Sequence, residues 1–331
     1  MNKKIILAVA ILLVFCGAGA IGFVAAQNQK ATAVVSKNDT AATGQEADGE
    51  EDTGLTITDG GETYTYNPNL KTFLFLGVDK TGEVTLQENA GRGGQSDCII
   101  LFVLDKANKT TTMLEISRDS MVDIDIYGIS GDYVATEKAQ LATQYAYGDG
   151  EKRSCWLTRK KVTELLGDHV RIDGYISLNI AGIATLNDAI GGVSITVPED
   201  YTDIDPVFAK GATITLTGEQ AENYVRSRDS DVTGSNAARM ERQTQYLEAL
   251  FTQMQGKLDT GTITQLQSSA SPYLVTDLTL DEMKQMGSYT MNETVYTVPG
   301  VTKEGAEHDE FEIDHDGLQK IIKEIFYDHE Q

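Results

Sequence analysis

A continuously apolar segment, a short polar turn and a second segment constrain the fold of this chain more than any other feature. The first is Cys98–Leu104 and the second, which is rich in β-branched residues, is Thr110–Ile116, with Asp105–Lys109 between them. This pattern predicts a β-hairpin. Because a strand that is apolar on both faces lies in the middle of a covered sheet, we expect the hairpin to form the core.

A carboxylate and a guanidinium flank this hairpin in the sequence. Asp97 directly precedes the first strand, and Arg118 follows the second within Ser117-Arg118-Asp119. An antiparallel hairpin returns the chain to the end at which it started. Asp97 and Arg118 are therefore predicted to be near neighbours at one edge of a buried sheet.

The N-terminus carries an apolar segment long enough to cross a bilayer. Lys3 and Lys4 precede Ile5–Ala26, and positive residues before such a span keep the N-terminus cytoplasmic. We expect a cytoplasmic stub at residues 1–4, a transmembrane signal-anchor helix at 5–26 and the remainder outside the cell, as in a single-pass type II membrane protein. A cleaved signal peptide is the alternative, because small residues near the end of the segment could serve a peptidase.

Composition divides the rest of the chain. Residues 27–70 are rich in Ala, Thr, Asp, Glu and Gly, with few large apolar side chains, which predicts a disordered acidic linker. The folded domain is expected at residues 71–331. Predicted strands and helices alternate along it without an obvious repeat, which places it in the α/β class.

Three helices are predicted between residues 139 and 257. Ala139–Tyr147 is expected to be helical and to end at the glycines that follow. Thr217 and Gln220 have capping-box spacing at the start of a helix that runs through Arg226. A long helix is expected at Asn236–Lys257, with its first residue as the cap.

The charge of the chain excludes one class of function. There are 27 Lys and Arg against 50 Asp and Glu, which gives a formal net charge of −23. A general nucleic-acid binder needs clustered basic residues for phosphate contacts, so we expect no nucleic-acid partner. A local site for a smaller anion is still compatible with this composition.

Four arginines are concentrated between positions 226 and 242: Arg226, Arg228, Arg239 and Arg242. Arginine offers a planar fork that suits phosphate oxygens, and Arg239 falls in the first turn of a predicted helix, where anions are favoured. This concentration indicates an anion site. A solvated helix end explains it equally well, with surface salt bridges to Asp229, Asp231 and Glu241.

Two aspartates stand at the ends of apolar segments. Asp79 follows Thr72–Val78, and Asp97 precedes the first strand of the hairpin; strand ends commonly carry site residues in α/β sheets. Two hard oxygen ligands suit Mg²⁺ or Mn²⁺, although solvation of a strand end accounts for a lone aspartate as well. Carboxylates and arginines at one edge would together suit phosphoryl transfer, in which metal and arginine neutralise the migrating group.

The cysteines leave two alternatives. Cys16 lies in the predicted membrane span, so Cys98 and Cys155 remain outside it, where a disulfide is chemically permitted. A buried thiol at Cys98 on a core strand is the other interpretation. No spacing of Cys and His resembles a zinc site.

Five motifs, in this order, resemble those of the LytR-CpsA-Psr family. They are GVD at 77–79, the SD pair at 96–97 after a loop arginine, SRDS at 117–120, LTGEQAENYVRSR at 216–228 and ARMERQ at 238–243. The segments DAIGGVSITVPED and VYTVPG are also similar to the family's usual sequences. The resemblance covers roughly Lys71–Gly300.

The resemblance implies a fold and a function. The fold is a three-layer α/β/α sandwich with a central mixed sheet and a hydrophobic tunnel for a lipid. The function is that of an extracytoplasmic, membrane-anchored phosphotransferase, which moves a glycopolymer from a polyprenyl-pyrophosphate carrier to peptidoglycan, typically at the muramic acid 6-hydroxyl. Whether the polymer is a teichoic acid, a capsule or another glycan is open. A non-catalytic extracellular receptor for lipid-linked polymer is the alternative, and a transcriptional attenuator conflicts with an outward-facing, acidic domain.

The resemblance also assigns the site residues. Asp79 and Asp97 resemble the aspartates that bind Mg²⁺, for which Mn²⁺ is an alternative. The pyrophosphate-binding residues correspond to Arg118, Arg226, Arg228 and Arg239, with Arg242 and Gln243 supporting them, and the expected catalytic group is Arg118, Asp97, Arg226 and Arg228.

The chain departs from the family's pattern at two places. The usual loop reads Arg-Ser-Asp, whereas here the residues GGQ separate Arg92 from Ser96. Where the family commonly has an Asn-Ala-Ala-Tyr-like helix start, this chain has LATQYAYGDG, which contains Gln144. The roles of Arg92 and Gln144 are therefore left open.

Overall fold

The computed structural model describes residues 55–88, 91–128, 130–229, 231–254, 268–279, 282, 289–306 and 308–329. The predicted cytoplasmic stub, the predicted membrane span and most of the predicted linker lie outside these residues. Within them, no helix combines the length and the apolar character that crossing a bilayer requires.

Strands and helices alternate along the described chain. The strands are β1 (Thr56–Asp59), β2 (Glu62–Tyr66), β3 (Leu70–Val78), β4 (Ser96–Asp105), β5 (Thr110–Glu115), β6 (Met121–Tyr127), β7 (Tyr133–Gln140), β8 (Gly174–Asn179), β9 (Ser194–Thr196), β10 (Thr213–Thr215), β11 (Leu274–Thr276), β12 (Thr290–Thr297), β13 (Gly300–Glu304), β14 (Asp309–Ile313) and β15 (Tyr327–His329). The α-helices are α1 (Lys152–Leu165), α2 (Ile180–Ala189), α3 (Gly218–Arg226), α4 (Ser235–Met254) and α5 (His315–Phe326). Short 3₁₀ helices occupy Leu141–Tyr147 and Ser271–Tyr273.

A six-stranded mixed sheet, in the order β11-β8-β3-β4-β5-β12, organises the molecule. Strand β4 pairs antiparallel with both β3 and β5. Strand β8 pairs parallel with β3, and β12 pairs parallel with β5. The predicted hairpin is confirmed, because β4 and β5 pair with Leu101 opposite Leu114. Every residue of Cys98–Leu104 is buried, as expected for a strand that is covered on both faces.

Helices lie against both faces of this sheet. On one face, Leu101 belongs to an apolar core that includes Val162 of α1 and Ile322 of α5. On the other face, Phe102 belongs to a second core, against which Leu247 of α4 packs. Helices α2, α3 and α4 form a further core beside it. The chain is thus a mixed α/β fold with a central mixed sheet, as predicted.

The prediction of a disordered linker at residues 27–70 is wrong for its last part. Strands β1 and β2 pair with each other, and β2 also pairs with β15, so both ends of the described chain form one small sheet. Tyr66 anchors this sheet, because its ring is buried in the main core and stacks on Phe326 at 6.2 Å between centroids. These short strands are mostly polar, so their composition resembled that of a linker.

Two of the helix predictions need correction. The helix predicted at Ala139–Tyr147 starts too early, because β7 continues through Gln140 in register with β6 and only a 3₁₀ helix follows. Asn236 does not cap the long helix, because α4 already begins at Ser235. The predicted end of that helix, Lys257, lies outside the described residues.

The capping box at the start of α3 is confirmed. The Gln220 backbone N–H donates to Thr217 Oγ1 at 3.3 Å, and the Thr217 backbone N–H donates to Gln220 Oε1 at 3.1 Å. Two N–H groups that the first helical turn leaves without partners are satisfied in this way. The cap therefore fixes where the helix that carries Arg226 begins.

Replacing Thr217 by alanine should lower the free energy of unfolding by about 1 kcal/mol, because the helix end loses its side-chain acceptor. Urea unfolding measures the change. Thr252→Ala is the matched control: Thr252 lies inside α4, and its hydroxyl donates only to the Glu248 carbonyl of the same helix. An equal loss in both variants would contradict a specific role for the cap.

Candidate active site

A cavity of about 400 Å³ lies at the edge of the sheet where β3 ends and β4 begins. One part of its lining is polar and another is apolar. The polar side chains are Asp79, Asp97, Arg118, Arg226, Arg228, Arg239 and Gln243, and the apolar ones include Phe75, Leu178, Ile180, Ile183, Val225 and Leu247. The structure thus gathers all the predicted site residues except Arg242 around one space.

Asp97 lies between two arginines at the centre of the polar part. Its Oδ1 is 2.8 Å from Arg118 Nη1, and its Oδ2 accepts a hydrogen bond from Arg239 Nη1 at 2.9 Å. The predicted proximity of Asp97 and Arg118 is confirmed. Both guanidiniums are almost fully buried, with side-chain exposures of 7% and 3%. Since isolated buried charges are costly, the shared carboxylate is what allows two cations to lie so close together.

Arg118 has two further neighbours. Its Nη2 donates to Gln95 Oε1 at 2.5 Å, and its Nε lies 3.4 Å from Asp119 Oδ1. Burial raises the pKa of Asp119, and the positive charge of Arg118 opposes that rise. The guanidinium therefore donates to Gln95 in the loop before β4, and it is ion-paired with Asp97 in β4 and with Asp119 in the turn after β5.

Arg239 reaches the cavity from the first turns of α4. Its Nη2 donates to Asn236 Oδ1 at 2.7 Å, so the residue predicted as a helix cap instead orients an arginine. Burial lowers the pKa of Arg239, and the Asp97 carboxylate opposes this effect. Among the described residues, neither Arg239 Nε nor Arg118 Nε has a hydrogen-bond acceptor. Buried donors of this kind are costly, and an anion in the cavity would satisfy them.

Arg226 and Arg228 enter the cavity from the end of α3. Arg226 is exposed and forms an ion pair with Glu222 one turn earlier, at 3.3 Å. Arg228 is half-buried and lines the cavity two residues further on. In the described part of the chain, the arginines at 226–242 make none of the surface salt bridges to Asp229, Asp231 or Glu241 that a solvated helix end would show. Arg226 is thus paired at the surface, whereas Arg239 is paired with Asp97 inside the cavity.

Arg242 has a supporting position behind the cavity. Its Nε donates to the Tyr224 carbonyl at 2.8 Å, its Nη2 donates to the Ser227 carbonyl, and its guanidinium lies 4.7 Å from the Tyr201 ring centroid. Gln243 lines the cavity and also donates to the Val225 carbonyl at 3.1 Å. Both side chains bind the carbonyl groups at the end of α3 and so fix the turn that presents Arg226 and Arg228.

Asp79 and Asp97 both line the cavity, as the metal prediction requires. Asp97 Oδ1 is buried and, although paired with Arg118, accepts no hydrogen bond. Asp79 is exposed, and its Oδ1 accepts the Gln95 backbone N–H at 2.6 Å. No group of three or more His, Cys, Asp and Glu side chains in the described part of the chain is arranged to hold a metal. Two carboxylates fit Mg²⁺ only with phosphate and water oxygens as the other ligands.

The model of the LytR_cpsA_psr family matches residues 25–326. The chain belongs to the LytR_cpsA_psr family. The resemblance that the motifs indicated is therefore confirmed over most of the chain.

Relatives of this LytR_cpsA_psr chain are named polyisoprenyl-teichoic acid--peptidoglycan teichoic acid transferases. TagV of Bacillus subtilis is 29% identical over 215 residues, which are 63% of this chain and 50% of that protein. TagU of Enterococcus faecalis is 28% identical over 213 residues, which are 64% of this chain and 63% of that protein. The chain thus matches between half and two-thirds of the length of these relatives.

Solved structures share the fold. The crystal structure of B. subtilis TagV is 24% identical with a TM-score of 0.59, over 78% of this chain and 96% of that one. A structure of TagT bound to LI-WTA is 25% identical with a TM-score of 0.57, over 78% of this chain and 90% of that one. These matches place the central mixed sheet among known LytR_cpsA_psr folds.

The two departures from the LytR_cpsA_psr pattern lie away from the cavity. Arg92 is exposed, and its backbone carbonyl accepts from Lys80 Nζ at 2.7 Å. Gln144 is fully buried, and its side-chain amide exchanges hydrogen bonds of 2.8 and 3.0 Å with the backbone of Asp125. Neither side chain lines the cavity. Gln144 instead fixes β6 against the 3₁₀ helix.

The structure decides between the two interpretations of the cysteines. Cys98 and Cys155 are both free and buried, which favours the buried-thiol interpretation, and burial raises the pKa of each thiol. The sequence reasoning did not assign Gln95 or Asp119, which hold Arg118. A signal was present for both, because Gln95 directly precedes the SD pair and Asp119 belongs to SRDS.

Proposed function

We propose that the chain is a phosphotransferase that moves a glycopolymer from a polyprenyl-pyrophosphate carrier to the muramic acid 6-hydroxyl of peptidoglycan. The observation that carries this proposal is the cavity itself, which joins an arginine and aspartate cluster to an apolar lining. A lipid pyrophosphate likewise joins a charged group, the pyrophosphate, to an apolar chain. The names of TagV and TagU as teichoic acid transferases, and the binding of LI-WTA by TagT, support the proposal.

The arginines would hold the pyrophosphate. Arg118 and Arg239 have buried Nε–H groups without acceptors, and phosphate oxygens are strong acceptors that match a guanidinium fork. Arg228 and Arg226 lie on the side of the cavity formed by the end of α3. The isoprenoid chain would lie against apolar side chains such as Ile183 and Leu247, where its burial is favourable.

Asp79 and Asp97 would hold Mg²⁺, or Mn²⁺ in its place, and the metal would neutralise charge on the pyrophosphate. Asp97 is already paired with Arg118 and Arg239. A phosphate on these arginines would replace Asp97 as their partner and leave its oxygens available. Bound pyrophosphate is therefore expected to raise the affinity for the metal, and the bound metal to raise the affinity for pyrophosphate.

The same arginines would promote the reaction. As the acceptor hydroxyl attacks the phosphorus that bears the glycan, a new P–O bond forms and the hydroxyl releases its proton to solvent; the bond from that phosphorus to the bridging oxygen breaks, and negative charge moves onto the leaving lipid phosphate. Arg118 comes from the turn after β5, and Arg226 and Arg228 come from the end of α3. We assign them to opposite sides of the breaking bond, where they stabilise the developing charge.

Transfer of a labelled lipid-linked glycan to a peptidoglycan oligomer tests the function, with lipid binding measured separately. We expect transfer that depends on Mg²⁺ or Mn²⁺. Teichoic acid and capsule precursors should both be tried, because the cavity does not identify the polymer. Binding of the lipid without transfer to any acceptor would instead favour the non-catalytic receptor.

We also propose that Ile5–Ala26 is an uncleaved signal-anchor and that the folded part of the chain lies outside the cell, as a single-pass type II protein. The two lysines before this apolar segment support the orientation. Protease added to cells stripped of their wall should digest the domain and leave a membrane-bound stub, while a cytoplasmic marker stays intact. Recovery of a soluble mature protein without residues 1–26 would show that the segment is cleaved.

A further inference from the structure

Gln95, in the loop between β3 and β4, contacts both halves of the candidate site. Its side-chain Oε1 accepts a hydrogen bond from Arg118 Nη2 at 2.5 Å. Its backbone N–H donates to Asp79 Oδ1 at 2.6 Å, and its carbonyl accepts from the Asp79 N–H at 3.1 Å. One residue therefore connects a carboxylate of the candidate metal pair to an arginine of the anion cluster.

The glycine before Gln95 allows this close approach. Gly94 has φ +94°, a conformation that L side chains rarely adopt. A Cβ at this position would lie 2.9 Å from Val78 Cγ1 and 3.1 Å from Asp79 Oδ1. The loop can bring the Gln95 backbone against Asp79 because residue 94 has no side chain, and the Gln95 side chain then points to Arg118.

The Gln95 amide differs from the other two groups that contact Arg118 in carrying no charge. Asp97 and Asp119 are carboxylates, and Asp97 is the partner that a bound phosphate would displace. A neutral amide holds a guanidinium without repelling a phosphate. Gln95 can therefore keep its contact with Arg118 when Asp97 gives up its own.

We propose that Gln95 is a positioning residue, which holds the Arg118 guanidinium in place while the site exchanges Asp97 for the pyrophosphate. This inference rests on the proposed function in one respect, namely that Arg118 acts on the reacting phosphate. The positioning itself is a property of two side chains and can be observed without turnover.

Gln95→Leu is the test variant, because leucine is of similar size, lacks the acceptor and leaves the backbone contacts to Asp79 in place. The first measurement is ¹⁵N relaxation of the Arg118 Nε–H group in the full chain saturated with inorganic pyrophosphate, which takes the place of Asp97 on the arginines. We expect its order parameter to fall from the range of a rigid group to below about 0.6. Gln87→Leu is the matched control, because Gln87 lies in the same loop and its amide donates to Thr85 at 3.0 Å; in this variant Arg118 should stay ordered.

The second measurement is a double-mutant cycle on the transfer reaction. Gln95→Leu should lower kcat by about tenfold, the effect of losing one hydrogen bond to a charged group, with KM for the lipid pyrophosphate within about twofold. In an Arg118→Lys background, Gln95→Leu should have no further effect, because Gln95 acts through the guanidinium. Thermal unfolding of each variant shows that the fold is kept.

Several outcomes would overturn the inference. An unchanged Arg118 order parameter in Gln95→Leu would show that the amide does not position the guanidinium. An equal loss of kcat in both backgrounds would mean that Gln95 acts by another route. If Arg118 becomes mobile in Gln95→Leu while the wild type binds lipid but never transfers glycan, the positioning role stands and the proposed function fails.

Discussion

Replacing Arg118 by lysine should lower the rate of glycan transfer by about 100-fold, which is typical for the loss of one transition-state donor. Lysine keeps the positive charge but loses the planar fork, and with it the simultaneous contacts to Asp97 and Gln95. Binding of the lipid pyrophosphate should change much less, because it depends on several arginines. Transfer and lipid binding are measured side by side on the same preparation.

Arg92→Lys is the matched control for this experiment. Arg92 belongs to the loop that also carries Gln95, but it is exposed and does not line the cavity. Its replacement should leave transfer unchanged. If Arg118→Lys weakens binding and transfer to the same extent, Arg118 only holds the substrate in the ground state, and its assignment beside the breaking bond is wrong.

Replacing Asp97 by asparagine should lower the affinity for Mg²⁺ by at least about tenfold. The change keeps the shape of the side chain but removes half of the negative charge of the proposed metal pair, and hard cations prefer charged oxygen ligands. Calorimetric titration with Mg²⁺ measures the affinity without reference to turnover. The same variant should unfold more readily, because Arg118 and Arg239 lose their shared counter-charge in a buried position.

Asp105→Asn provides the comparison for the metal measurement, because Asp105 ends the same strand at the opposite edge of the sheet, where its Oδ1 accepts the Ala107 and Asn108 N–H groups. Metal affinity should be unaffected in that variant. An unchanged Mg²⁺ affinity in a folded Asp97→Asn would leave Asp97 as a partner of the arginines without a metal role.

The predictions that the structure confirmed rest on local sequence. Asp97 and Arg118 could be placed together because a hairpin joins them, and the Thr217 capping box depends on residues only three apart. In each case the residues that form the predictive pattern are close in the sequence to the residues that make the contact. The concentration of arginines at 226–242 was also visible in the sequence, but only the family motifs related these residues to the hairpin, because no local pattern gives their relative positions.

Contacts between distant segments could not be predicted from such patterns. Arg239 donates to Asp97 across 142 positions, and only the packing of α4 on the sheet brings them together. The residues of β6 and β7 are largely polar or half-buried, so their pairing gave no apolar signal. Arg242 was expected among the residues that support the pyrophosphate-binding arginines, and its hydrogen bonds to the carbonyl groups of the turn after α3 could not be predicted from its position in the sequence.

The pairing of Asp97 with two arginines also affects how the site responds to its ionic surroundings. The carboxylate acts as an internal counterion for one of the two guanidinium charges, so the site presents less positive charge than four free arginines would. Salt screens exposed charges most strongly, and a site whose charge is partly balanced attracts free anions less strongly at long range. In the presence of other anionic polymers, such a site would stay available for a ligand that also fills the apolar part of the cavity.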